Sequence, residues 1–322
     1  MEVGEKMKNT QLSARKLSLR LFPILIFFCL FTGCDRQAET PVKVSLSATE
    51  QGEAVQHSTN RTTPSLRIAI SAVISPKETF ILYKELLDYI SKKLGVKVEL
   101  VQRETYAEVN NLVRDKELDL AFVCSGAYVD GHDKFGMELL VAPVAYGEAV
   151  YYSYIIVPAQ SEAQSLEDLR HKRFAFTDPM SNTGKLAPTY MLARMNEDID
   201  SFFGDYIFTH SHDRSIEMVA HSLVDGAAID GLIWEYMNTR DPSLTSRTRI
   251  IKKSVPYGIP PIVVPVGLDP TLKENLRDLF LNIHKKMDGK RILDKLLIDR
   301  FIVIDDRQYD SIREMRSWFA EK

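Results

Sequence analysis

Cysteine is scarce: the 322 residues hold only Cys29, Cys34 and Cys124, which excludes a disulfide framework and leaves stability to a packed core. Charge of one sign is also missing. The formal net charge is -3 and no long block of like charges occurs, so the electrostatic footprint of a nucleic-acid binder is absent. No apolar run reaches the ~20 residues that span a bilayer as a helix. A nucleotide P-loop is excluded at its best candidate, where Pro179 and Leu186 stand in place of the Gly and the Ser or Thr that G-x-x-x-x-G-K-[ST] requires. There is no G-x-S-x-G nucleophile elbow and no internal repeat of fixed period.

What is present is an ordinary globular composition, 45% hydrophobic and 26% charged, behind a legible N-terminus. Lys6, Lys8, Arg15, Lys16 and Arg20 form a basic flank, and Leu21 to Gly33 is an uncharged apolar run, interrupted by Pro23, that ends in small residues. Residues 1–33 therefore read as an export signal. The segment Phe31-Thr32-Gly33-Cys34 resembles the lipobox of bacterial lipoproteins, although Phe31 stands where that pattern usually has Leu. The resemblance implies cleavage before Cys34 and lipidation of its sulfur. Asp35 resembles the residue that retains such lipoproteins at the inner membrane, so the expected location is the periplasmic side of that membrane, anchored rather than spanning. With Cys29 removed and Cys34 acylated, Cys124 has no partner for a disulfide. Residues 34–64 are rich in Ser, Thr, Gln, Glu and Ala, and read as a flexible tether.

From Leu66 onward, short β-branched runs alternate with amphipathic helical patterns, the mark of an α/β architecture. Leu66–Ile70, Val96–Val101 and Leu118–Cys124 are predicted strands, with helices around Phe80–Ile90 and Tyr106–Val113 between them. Glu138–Val144 and Tyr151–Val157 are further strands, the second suited to crossing between lobes. A second unit follows, with strands at Phe174–Thr177, Tyr206–Thr209 and Gly226–Asp230 and helices at Gly184–Met195 and Asp213–Leu223. Arg249–Ser254 is another candidate crossing strand, and three helical stretches reach Phe319. The expected fold is thus α/β with two lobes, each a mostly parallel sheet flanked by helices, joined by crossing hinge strands. Lobe 1 comprises residues 65–147 and 250–322, and lobe 2 residues 148–249.

Two strand-to-helix junctions carry the chemistry. Asp178-Pro179-Met180-Ser181-Asn182-Thr183-Gly184 places hydroxyls and an amide at a helix start, where unpaired backbone N–H groups and the macrodipole favour an anion; the same residues also serve plain capping. Ser211-His212-Asp213 repeats the arrangement, with His212 as a donor and Ser211 or Asp213 as a cap. A metal reading would use His210 and His212 but finds no third ligand. Asp230 ends a predicted strand at the cleft, and Ser125 follows another. Cys124 reads as a buried apolar residue.

The segments Glu104-Thr105-Tyr106-Ala107, Asp119-Leu120-Ala121-Phe122, Tyr151-Tyr152-Ser153, Asp178 to Pro188 and Ser211-His212-Asp213, in that order and spacing, resemble the phosphonate-binding family of periplasmic solute-binding proteins. The resemblance covers Leu66 to the end and implies the type II periplasmic-binding-protein fold. It also implies a small oxyanion (phosphonate, phosphite or phosphate-like) held between the lobes for delivery to the permease of an ABC importer. It implies a site in which Ser181, Asn182 and Thr183 match a Ser-Thr-Ser triplet, His212 the family's His, and Tyr106 and Tyr151 its two pocket tyrosines. Asn182 departs from the hydroxyl pattern but still donates. Members selecting aminoalkylphosphonates have an Asp within the stretch corresponding to Ser254–Pro261, which here contains none; Asp230 or Glu235 is the candidate replacement. The expectations are no cofactor, no metal and no catalysis. A ligand sensor of the same fold and a secreted hydrolase using Ser181 or Ser125 with His212 are the competing readings.

Overall fold

The computed structural model describes residues 65–321; the signal, the tether and Cys34 lie outside the described residues. The first unit runs β1 (Ser65–Ile70), α1 (Pro76–Leu94), β2 (Lys97–Val101), α2 (Tyr106–Arg114), β3 (Leu120–Phe122), α3 (Ser125–Phe135) and β4 (Glu138–Val144). After the short β5 (Val150–Tyr151), the second unit contains β6 (Ser153–Pro158), β7 (Arg173–Phe176), α4 (Ala187–Ala193), α5 (Ile199–Phe202), β8 (Asp205–Phe208), α6 (His212–Ala220), β9 (Gly226–Asp230), α7 (Gly231–Arg240) and β10 (Thr248–Lys253). The chain returns through β11 (Tyr257–Gly258) to β12 (Ile262–Val264), α8 (Pro270–Asn282), α9 (Met287–Leu296), β13 (Arg300–Ile302) and α10 (Asp310–Ala320).

Local signals explain the helix ends that matter here. In α1, Pro76 occupies the first turn, where its missing N–H costs nothing, and Gly95 closes the helix with φ 67. In α2, Thr105 and Glu108 form a reciprocal capping box, which fixes Tyr106 as the first helical residue.

The sheets have the orders β13-β4-β12-β3-β1-β2 and β10-β6-β9-β7-β8. In the first, β1, β2, β3 and β4 point one way while β12 and β13 oppose them. In the second, β7, β8, β9 and β10 agree and β6 opposes them. The predicted parallel character therefore holds in strand direction. In each sheet the interior antiparallel strand, β6 or β12, is the one on which the chain enters after crossing. Each lobe has its own apolar core. Ile68, Leu86, Ile90, Leu120 and Phe280 are fully buried in the first lobe. Phe174, Phe176 and Phe202 fill the second, where Phe174 stacks on Phe203 at 4.3 Å between ring centroids.

The crossing segments are shorter than the sequence indicates. Tyr151–Val157 is split between β5 and β6. Residues 250–253, assigned above to lobe 1, lie in β10, which pairs with β6 at the edge of the second sheet. A β-branched run reads the same whether it crosses or pairs at an edge, and Ile250 opposite Ile156 shows that it pairs. The actual hinge is the two-residue ribbon β5·β11, with Tyr151 opposite Tyr257 and Val150 opposite Gly258.

Candidate functional site

The carboxyl ends of parallel strands are where α/β sheets leave room for a ligand, and both sheets turn theirs to the same cleft. From the first lobe come Ser71 after β1, Cys124 and Ser125 after β3, and Tyr106 at the start of α2. From the second come Thr177 and Asp178 after β7, Ser211 and His212 after β8, and Asp230 at the end of β9. Hydrogen bonds join the two sets directly. The backbone N–H of Tyr106 donates to the Asp178 carboxylate at 3.1 Å, that of His212 to the Val73 carbonyl at 2.9 Å, and that of Ser75 to the Asp213 carboxylate at 3.0 Å. The lobes thus meet through carboxylates set against helix beginnings on the opposite side.

Within this junction the side-chain oxygens of Ser71, Tyr106, Thr183 and Ser211, together with the Asn182 Oδ1, are buried and have no hydrogen-bond partner. Such groups are rare because each carries a desolvation penalty of about 1–3 kcal/mol when unmatched. Their accumulation at one interface marks a place built to be completed by another molecule. Thr177 Oγ1 is unpaired as well, but it faces Gly184 so closely that a Cβ on that glycine would sit 1.7 Å away.

The predicted residues divide into two groups. Tyr106, Asn182, Thr183 and His212 present donors. Asn182 lies at the start of a single π turn, Asn182–Leu186, that precedes α4; π turns recur at functional sites because they re-aim side chains. Its Nδ2 lies 3.2 Å from the Tyr151 hydroxyl. Exchanging its amide O and N is isosteric, and lets Tyr151 donate to Oδ1 while NH2 faces the junction. His212 accepts from the Asp230 backbone N–H at its Nδ1, 2.9 Å away, which leaves the proton on Nε2 as a donor. Burial, opposed by the charge of Asp213, pushes its pKa down to about 3, so it donates as a neutral ring.

The others hold these in place. Ser181 caps the π turn by accepting from Gly184 N–H at 3.0 Å. The Ser125 hydroxyl, predicted as a cleft donor, gives its proton to the Gly258 carbonyl in the hinge at 2.7 Å. Tyr151 packs against Tyr257 and orients Asn182. Asp230 caps α7 by accepting from Leu232 N–H at 2.8 Å. The amide of His212 is committed to Val73, so the start of α6 contributes side chains rather than its first N–H. His210 adopts φ 60 and breaks the strand alternation that would have aligned it with His212, which removes the basis of the metal reading. No Ser–His pair of nucleophile and base forms, since the Ser125 proton goes to Gly258 and His212 Nδ1 to Asp230. Nothing in the sequence around Ser71 marks it as a donor, and Ser211 stands where a cap is expected, yet its side chain makes no cap bond.

The electrostatics are those of neutral donors in a dry setting. None of the groups acting most strongly on Tyr106, Tyr151, His212 or Asp230 is a Lys or Arg. Burial raises the tyrosine pKa values well above normal, and the nearby Asp230 adds to this at both Tyr106 and Tyr151, so both phenols stay protonated. Burial likewise raises Asp230 to about 7. A carboxyl raised in the folded state contributes stability that is present below its unfolded pKa of ~3.9 and lost as pH rises through about 7. His212, depressed, acts in the opposite sense, and its contribution is lost as pH falls below the unfolded value of ~6.5.

Comparison with known proteins places this geometry. The model of the family described as the periplasmic substrate-binding protein of phosphonate ABC transporters matches residues 68–309. The chain is 29% identical over 234 residues to the phosphonates-binding periplasmic protein of Escherichia coli, covering 71% of this chain and 69% of that one. It is 25% identical over 237 residues to a probable ABC transporter phosphite binding protein of Prochlorococcus marinus, covering 70% and 80%. Among solved structures, a binding protein component of an ABC phosphonate transporter from Pseudomonas aeruginosa superposes with a TM-score of 0.75 at 26% identity, covering 79% of this chain and 86% of that one.

Proposed function

Because the chain belongs to the family of phosphonate ABC-transporter periplasmic substrate-binding proteins, whose members bind substrate rather than transform it, we propose that its lobes close on a tetrahedral phosphorus oxyanion. The relatives named for phosphonates and for phosphite share that headgroup. The single observation that carries the reading is the set of buried, unpartnered polar atoms on Ser71, Tyr106, Asn182, Thr183 and Ser211. A phosphonate has oxygens to accept from the hydroxyls of Ser71, Tyr106, Thr183 and Ser211, from the Asn182 NH2 in its exchanged orientation, and from His212 Nε2. Fixed neutral donors in a water-excluded site stabilise negative charge without reorganising. Tyr151, Ser181, Ser125 and Asp230 hold the donors in position.

The same proposal includes export, lipidation of Cys34, and presentation of the ligand to an ABC permease from the periplasmic face of the inner membrane. A protein that only buffers or senses the ligand would need no permease. Loss of phosphonate uptake on deleting the gene, restored by the intact chain, separates import from sensing. Replacing Cys34→Ser is expected to move the chain from the membrane fraction to the soluble periplasm.

Binding itself is tested by thermal unfolding of the full chain in detergent. At a ligand concentration 100 times the Kd, methylphosphonate, phosphite or phosphate should add about 2.7 kcal/mol of stability and raise Tm by several degrees. Sulfate and acetate serve as controls. No shift with any phosphorus oxyanion contradicts the proposal.

A further inference from the structure

Next to the donors lies a cavity of about 130 Å³, walled by both lobes and the hinge. Ser71 and Asp230 connect the two: each belongs to the donor region and each also lines the cavity. The charge of Asp230 is felt by Tyr106 on one side and by Tyr83, a cavity residue, on the other. Away from those two residues the lining is apolar apart from tyrosine hydroxyls. Ile74 and Leu82 come from lobe 1, Ile233 and Tyr236 from α7, and Ile259 from the hinge.

Resting on the oxyanion reading above, we propose that this cavity receives the organic substituent of the ligand, and that the substituent is a hydrocarbon chain or ring of about four to six carbons, since an apolar cavity of similar volume (~150 Å³) holds benzene.

The lining argues against an aminoalkyl group. An ammonium brings three donors, whereas among the described residues Asp230 is the one charged group on the wall and one of its two oxygens already accepts the Leu232 N–H. N–H donors left unmatched in an apolar wall are unfavourable. A hydrocarbon asks nothing of the wall except contact.

The test is calorimetric titration of the full chain in detergent with methyl-, n-butyl-, phenyl- and 2-aminoethylphosphonate. Burying a methylene is expected to tighten binding about fourfold, so n-butylphosphonate should bind roughly 60-fold more tightly than methylphosphonate. Phenylphosphonate should also surpass methyl, and 2-aminoethylphosphonate should not. Ile233→Trp, which fills the cavity from α7, should bring the butyl-to-methyl ratio toward one. Equal or weaker binding of butyl and phenyl, or strongest binding of 2-aminoethyl, overturns the substituent assignment while leaving the headgroup site standing. Failure of all four to bind, with phosphite and phosphate equally inert, overturns the headgroup site and this inference with it.

Discussion

Replacing Gly126 with Ala is expected to weaken oxyanion binding about a hundredfold with little change in the stability of the unliganded protein. Gly126 lies in the first turn of α3, and a Cβ there would stand 2.5 Å from the Met180 carbonyl oxygen and 3.0 Å from the Asn182 nitrogen of the opposite lobe. Both are backbone atoms, so no side chain can swing aside. Overpacking of this kind costs about 1–3 kcal/mol, and the upper end corresponds to about two orders of magnitude in Kd. The contact lies between lobes, so the strain is relieved by opening rather than by unfolding. Small-angle scattering of Gly126→Ala with saturating ligand should therefore report a larger radius of gyration than the wild type. Wild-type affinity in the variant would mean that closure does not bring α3 against the π turn.

The second large effect is expected at His212. Removing its ring takes away the Nε2 donor and leaves the Asp230 N–H without its acceptor. A hydrogen bond to a charged group contributes about 1.5–3 kcal/mol, so His212→Ala should raise Kd by about 10- to 150-fold. Because burial keeps the ring neutral down to about pH 3, wild-type affinity should show no step between pH 6 and 7 that the variant lacks. His212→Gln, which retains an N–H donor, should recover part of the loss. A clear step near pH 6.5 that disappears in His212→Ala would show that the ring binds as a cation.

The sequence made the alternation of strands and helices plain because both periods were clean, and the ends of α2 were legible through the Thr105–Glu108 capping box. α3 was not. Gly126, directly after a strand, looks like turn punctuation, yet the glycines of α3 are there for close packing: a Cβ on Gly131 would meet the Met137 side chain at 2.5 Å, and one on Gly126 the Met180 backbone carbonyl at 2.5 Å. The two-residue ribbon β5·β11 leaves no period in the sequence to detect. At the site, Asn182, Thr183 and His212 stand out at their junctions, and Tyr106 comes from the family resemblance alone. The role of Ser125 is illegible locally because its acceptor, Gly258, lies 133 residues away, and Ser71 has no local pattern because a single serine after a strand carries none. Only the folded junction distinguishes a hydroxyl with a partner from one without.

The unpartnered polar atoms of Ser71, Tyr106, Asn182, Thr183 and Ser211 are expected to surround one oxyanion together with His212. A crystal structure of the protein with methylphosphonate tests this expectation directly. Phosphonate oxygens should lie within hydrogen-bond distance of the Tyr106 hydroxyl, Thr183 Oγ1 and His212 Nε2, with the methyl group pointing into the cavity lined by Ile74, Leu82 and Ile233. Phosphonate bound on another surface, with those atoms still unpaired, would contradict it.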